Sequence, residues 1–418
     1  MLFPAALGLL AGDARAEDGP TAIVHGKVYL PGDRAPVEDG TVVIADGKVV
    51  AAGAGVAAPA GARTIDARGK VVTAGFIDAN TDVGVVDIEL EPAANDADAH
   101  GAYSPALRIV DGFNPRSTVI PVVRAGGVTS VVLAPRWGVL SGQGAFVDLT
   151  EEGAGGTAVV RAPLAQYARV DEESAEGTAG NRASMWLSLR EALDDARFYG
   201  AHRGQYDSNA SRTLSLRRAG LEALLPVVRG ELPLVVTAHR ASDIETALRL
   251  ADELKLRIVI QGASEAWMLA PEIARRRVPV VVDPLQDLPA RFDRLHSRSD
   301  NAAQLARAGV KVVIASFATH QSRLLWQHAG NAVRLGMDHD AALRAVTEAP
   351  AEVFDLRGYG KLEPGAVGNV VVWSGDPLQT STRVEHVFVH GHEAALETRQ
   401  TLLLERYRTL PVPRDGSR

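Results

Sequence analysis

Cysteine is absent from the 418 residues. That excludes disulfide staples, thiolate-bound zinc, iron–sulfur clusters and a thiol nucleophile together. Any metal must rest on His, Asp, Glu, Asn or Gln. Positive charge is in deficit, with 44 Lys+Arg against 51 Asp+Glu for a net charge of −7, and no basic run could follow a phosphate backbone. No nucleic-acid partner is expected. Beyond the first residues no apolar stretch approaches the roughly 18 residues that a membrane span needs. With 46% hydrophobic and 23% charged residues, the chain has enough apolar material for one large core or two smaller ones.

The opening, MLFPAALGLLAG followed by Asp13-Ala14-Arg15-Ala16, is a short apolar run ending in an A-x-A site. It resembles the end of a secretory signal peptide over 1–16, without the positively charged start. Export to the periplasm or medium is the expectation, with a cytoplasmic protein as the alternative.

From Thr21 to Lys70 short alternating segments and tight turns, among them Asp46-Gly47 in TVVIADGKVVAAG, predict a β module. From Val71 the pattern changes to nearly continuous apolar runs: VVTAGFIDAN, GVTSVVLAP, LPLVVTAH, LRIVIQG, VPVVVDP and VKVVIAS. Such runs suit parallel strands buried on both faces. Between them lie amphipathic helix candidates such as Ser242–Leu254, which opens with a capping box. Strand and helix alternate over 71–357, which predicts a (β/α)8 barrel, with a doubly wound sheet as the rival. After Arg357 β character returns, so 17–70 and 358–396 are expected to meet in one small β-sandwich. A C-terminal helix and tail fill 397–418, and Asp171–Arg182 reads as an excursion from the barrel, a loop or lid.

The segment VVTAGFIDANTDV resembles the first barrel strand of metal-dependent amidohydrolases, where "PGFIDxHxH" supplies two histidines. GVTSVVLAP with SGQGAFVDL, His239 in VTAHRASDI, QGASEAW, and ALRAVTEAPAEVFDL…GKLEPGAVGNVVVWSGDPL extend the likeness over nearly the whole chain. The imidazolonepropionase-like branch is the most similar. The resemblance implies a TIM barrel with a composite β-sandwich, a hydrolase acting on C–N bonds of cyclic amide type, and a metal at the C-terminal strand ends. It also implies two His on strand one, a Lys or Glu on strand four, one His each on strands five and six, and an Asp on strand eight. Here Asn80 and Asp82 stand in place of the first pair, and His239 is kept. Gln261 or Gly262 replaces the next His, and Ser316 and Phe317 stand where the Asp is due.

Residues two apart share one face of a strand, which groups Asp78, Asn80 and Asp82. Asp82, His239 and Asn80 are the candidate ligands for one divalent metal, Zn, Mn or Mg, with oxygen donors favouring the harder ions. Asp78, Gln261, Ser316, Phe317 and Arg240 are expected around the pocket, Arg240 with a salt bridge to Asp243 as its plainer role. A Phe cannot carry the strand-eight proton, so substitute bases are sought in Asp283 and His320. Turn capping is the plainer reading of Asp283, and His320 and His328 are expected on the surface or in loops. The Ser141–Gly144 loop could approach a ligand, or simply turn. The run Asn95, Asp96, Asp98 and His100 could supply replacement ligands, or be a solvated loop. Three functions stay open: a hydrolase with a rebuilt site, a pseudoenzyme that binds a small molecule or an active homologue, and a structural subunit in a homo- or hetero-oligomer.

Overall fold

A computed structural model of the chain describes residues 19–97, 103–151, 158–176 and 180–409. The leader-like opening, Asp98 and His100 lie outside them. Both chain ends contribute to one eight-stranded hydrogen-bonded sheet, in which Val71–Ala74 pairs antiparallel with Val370–Trp373. Its strands share a core that includes Ile23, Val42, Ile44, Val72, Val370 and Phe388. Trp373 joins this sheet to the barrel. Its Nε1 donates to Thr73 Oγ1 at 2.9 Å, and its ring lies 4.9 Å from that of Phe76. Gly127 must be glycine here, because a Cβ would meet the Trp373 ring at 2.3 Å and φ is +87°.

The chain folds as a TIM barrel. Seven barrel strands run parallel: Phe76–Thr81, Val128–Leu133, Gln166–Arg169, Leu234–Ala238, Ile258–Gly262, Val280–Val282 and Val312–Ile314. The third stave is different. It is a bent antiparallel segment, Leu140–Gln143 and Ala145–Asp148, whose second half pairs with the second strand and whose first half pairs with the fourth. The stretch Ser141–Gly144, expected as a turn or ligand loop, therefore sits almost wholly in this buried stave.

Period-two alternation explains the layering. Ile77, Val235, Val259, Val281 and Val313, one from each of five strands, cluster together with Tyr167 and Phe146. The alternate positions Val236, Ile260, Val282 and Ile314 belong to the larger cluster shared with the helices. The predicted excursion at Asp171–Arg182 is partly helical, with Asp171 capping Glu172–Ser174 and Arg182 beginning the helix Arg182–Ala201. Among the described residues no helix is long and apolar enough to cross a membrane.

Candidate functional site

The last residues of the barrel strands point into a cavity of about 400 Å3 at the barrel mouth. Thr237, His239, Gln261, Asp283 and Phe317 come from strands five to eight, Asn80 from strand one. Two amides carpet its floor. Asn80 Nδ2 donates to Gln261 Oε1 at 2.8 Å, and Gln261 Nε2 donates to Thr237 Oγ1 at 2.7 Å. Gly262, at φ +78°, lets the backbone pass beneath His239, where a Cβ would meet Cε1 at 2.4 Å.

The three strand-one candidates do not share a face. Pairing with the second strand shifts register between Asp78 and Thr81, which breaks the period-two pattern, so only Asn80 lines the cavity. Asp78 is fully buried elsewhere. It accepts from the Ser316 amide at 3.1 Å, from Ser316 Oγ at 2.5 Å and from Ser322 Oγ at 2.7 Å. Burial nevertheless pushes its carboxyl up to about 6 against those bonds. Ser316 and Arg240 likewise do not line the cavity, and Arg240 makes a 3.0 Å salt bridge to Asp243.

Asp82 is also fully buried. Its Oδ2 lies 2.5 Å from an Arg136 guanidinium nitrogen, and its Oδ1 accepts from Thr319 Oγ1 at 2.6 Å. Burial raises its pKa, and Arg136 opposes the rise. His239 hydrogen-bonds through Nδ1 to Ser264 Oγ at 2.9 Å. Burial, then the charges of Arg294, Arg169 and Arg291, push its imidazole down to about 3, so it is neutral at physiological pH. Asp171 is held below the usual carboxylate range by Arg169, 2.5 Å away, in spite of its burial.

Asp283 ends strand seven on the cavity wall. Its Oδ1 accepts from the Leu285 amide at 2.9 Å, the expected turn cap, and from His328 Nδ1 at 2.7 Å. His328 was expected at the surface, but the helix Leu325–Arg334 buries it against the barrel. His320 stays half exposed, 3.7 Å from Glu89, and does not line the cavity. Nearby, burial raises Asp287 well above its ordinary value; Asn301 opposes the rise and the charge of Asp283 adds to it. In the run after strand one, Asn95 lines the cavity while Asp96 is exposed.

The sequence reading missed Arg136, Arg169, Arg294 and Asp287. Arg136 follows the second strand in LAPRW, and Arg169 ends QYAR. Their places after apolar runs were therefore the available signal. Asp287, in a loop, and Arg294, at the end of the 3-10 turn Phe292–Arg294, carry none. Among the described residues, no group of three or more His, Asp or Glu side chains is set out to hold a metal ion.

Comparison with known proteins gives this geometry a lineage. Residues 188–394 match the amidohydrolase family. "Amidohydrolase tasK" of Hapsidospora irregularis is 23% identical over 404 residues, which cover 85% of this chain. The chain spans 39% of the length of that curated relative. The crystal structure of an amidohydrolase from Thermotoga maritima MSB8 superposes with a TM-score of 0.80 at 25% identity, covering 90% of this chain and 99% of that one. Molinate hydrolase, at 17% identity and a TM-score of 0.55, covers 91% and 96% and shares the fold.

Proposed function

Because this chain belongs to the amidohydrolase superfamily, we propose that it keeps the superfamily's mouth pocket for binding a small polar molecule but does not run the metal-dependent hydrolysis. One observation carries the reading: Asp82, at a ligand position of the first strand, is held by Arg136 at 2.5 Å and Thr319 at 2.6 Å. A guanidinium is a permanent cation. It supplies the buried carboxylate with the positive charge that a metal ion would otherwise bring.

The remaining donors do not fit a divalent ion. A catalytic zinc site needs three protein ligands with free lone pairs. Among the described candidates His239 is the one imidazole at the cavity, and Asn80, whose amide nitrogen donates to Gln261, has only a neutral amide oxygen to offer. Phe317, which cannot move a proton, lines the cavity beyond strand eight. Descent from a hydrolase fold does not by itself carry activity.

Elemental analysis of protein purified without chelator, with calorimetric titration by Zn²⁺ and Mn²⁺, tests the reading. The expected result is a metal content far below one ion per chain and no saturable heat. One tightly held ion per chain would sink the reading and restore hydrolysis as the activity to be sought.

A further inference from the structure

Three arginines line the mouth, and two sit close against carboxylates. Arg136 pairs with Asp82, and Arg169 pairs with Asp171 at 2.5 Å and Glu173 at 3.2 Å. Arg294 differs. Its contact with Asp293 is 3.6 Å long, beyond hydrogen-bond reach, and its buried Nε has no hydrogen-bond partner among the described residues.

On the same cavity Asp283 carries the complementary deficit. His328 and the Leu285 amide both serve Oδ1, whereas Oδ2 has no hydrogen-bond partner among the described residues and the residue is only 6% exposed. Among the described residues no ion pair within 4.0 Å joins Arg294 to Asp283, so the two do not satisfy each other. A buried donor or acceptor left without a partner carries an uncompensated desolvation cost. A ligand that supplies both missing partners removes both costs at once.

We infer that the mouth binds a free α-amino acid, its carboxylate on Arg294 and its ammonium on Asp283. The inference rests on the reading of the mouth as a metal-free binding pocket. Charge selects the class. Ionised partners make hydrogen bonds about twice as strong as neutral ones, which favours a zwitterion over a neutral amide. A second carboxylate would face Asp283 and Glu89, which also line the cavity, so a dicarboxylate without an ammonium is disfavoured. The cavity, at about 400 Å3, falls within the range of small-ligand pockets.

Calorimetric titration of the full chain with each of the common α-amino acids, followed by the N-acetyl and carboxamide forms of the tightest, tests this. Capping either end should weaken binding by about 10-fold or more. Arg294→Met should erase the penalty of the carboxamide, and Asp283→Asn that of the N-acetyl group. Thermal unfolding checks that each variant folds; Arg294→Met leaves the Asp283–His328 contact intact and stands alone if Asp283→Asn does not fold. No binding of any free amino acid, or equal binding of the capped forms, overturns the inference. Metal content is read separately, so an ion in the site would refute the metal-free reading without being mistaken for a failed capping test.

Discussion

The buried pair Arg136–Asp82 is asymmetric: Asp82 is fully enclosed, while about a third of the Arg136 side chain reaches solvent. Removing the cation strands the carboxylate in a dry site, and breaking a buried pair this way costs about 3 kcal/mol. Arg136→Met should therefore lower the unfolding free energy measured by urea titration by that amount. Asp82→Asn in the same background should recover most of it, because an amide needs no counter-charge. Full additivity of the two changes would show that the residues do not act as a pair. His239 makes the converse point at the same scale. With its ring held neutral by burial and by surrounding arginines, it offers hydrogen bonds but no charge at physiological pH.

Individual elements show where sequence could and could not be read. Continuous apolar runs located the barrel strands, and their last residues, His239, Gln261 and Asp283, are on the cavity as strand ends should be. The antiparallel third stave was hidden because a buried antiparallel segment and a buried parallel one share the same apolar pattern. The register shift after Asp78 was hidden for a different reason: it depends on pairing with a distant strand. Asp287 lies in a loop and Arg294 ends the single 3-10 turn Phe292–Arg294, too short for periodicity to tie a residue to a direction. His328 was misjudged because its burial depends on how a helix packs, and its partner Asp283 is 45 residues away.

One helix also carries a pH-dependent clamp. His339, at the start of His339–Arg344, bonds Asp376 through Nε2 at 2.9 Å and Asp340 through Nδ1 at 3.1 Å. Asp376 follows the sheet strand Val370–Trp373, so the contact ties a barrel helix to the terminal sheet. The Asp376 bond first, and then Asp340, raises the imidazole to about 9 from 6.5, against partial burial. A raised native pKa means that the native state binds more protons than the unfolded chain across this window. The stabilisation is complete below about pH 6.5 and is lost as pH rises through about 9. Allowing for solvent screening, its size is about 1–2 kcal/mol. Thermal midpoints measured from pH 6 to pH 9.5 should fall more steeply in wild type than in His339→Gln; parallel curves would remove the clamp.

At the scale of the whole molecule, sheet and barrel are joined by a buried polar knot around Asp148. Its carboxylate accepts from Ser130 Oγ and His390 Nε2, each at 2.5 Å, and from Tyr359 OH at 2.7 Å, drawing on the barrel, the segment after it and the terminal sheet. Such a network is costly when half satisfied. The two parts should therefore unfold together. Trp fluorescence and far-UV circular dichroism should give one common midpoint, and Tyr359→Phe should lower the unfolding free energy read by either probe by about 1–2 kcal/mol. Separate midpoints in the wild type would show that the parts are thermodynamically independent.

The guanidinium at the mouth has a further consequence for biogenesis. A protein that must capture an ion to neutralise its centre matures only as fast as its compartment delivers that ion. On the metal-free reading proposed above, the neutralising charge is encoded at Arg136, ahead of the third stave, and arrives with the polypeptide itself. If that reading holds, metal scarcity and chelating surroundings should leave the assembly of this barrel unaffected.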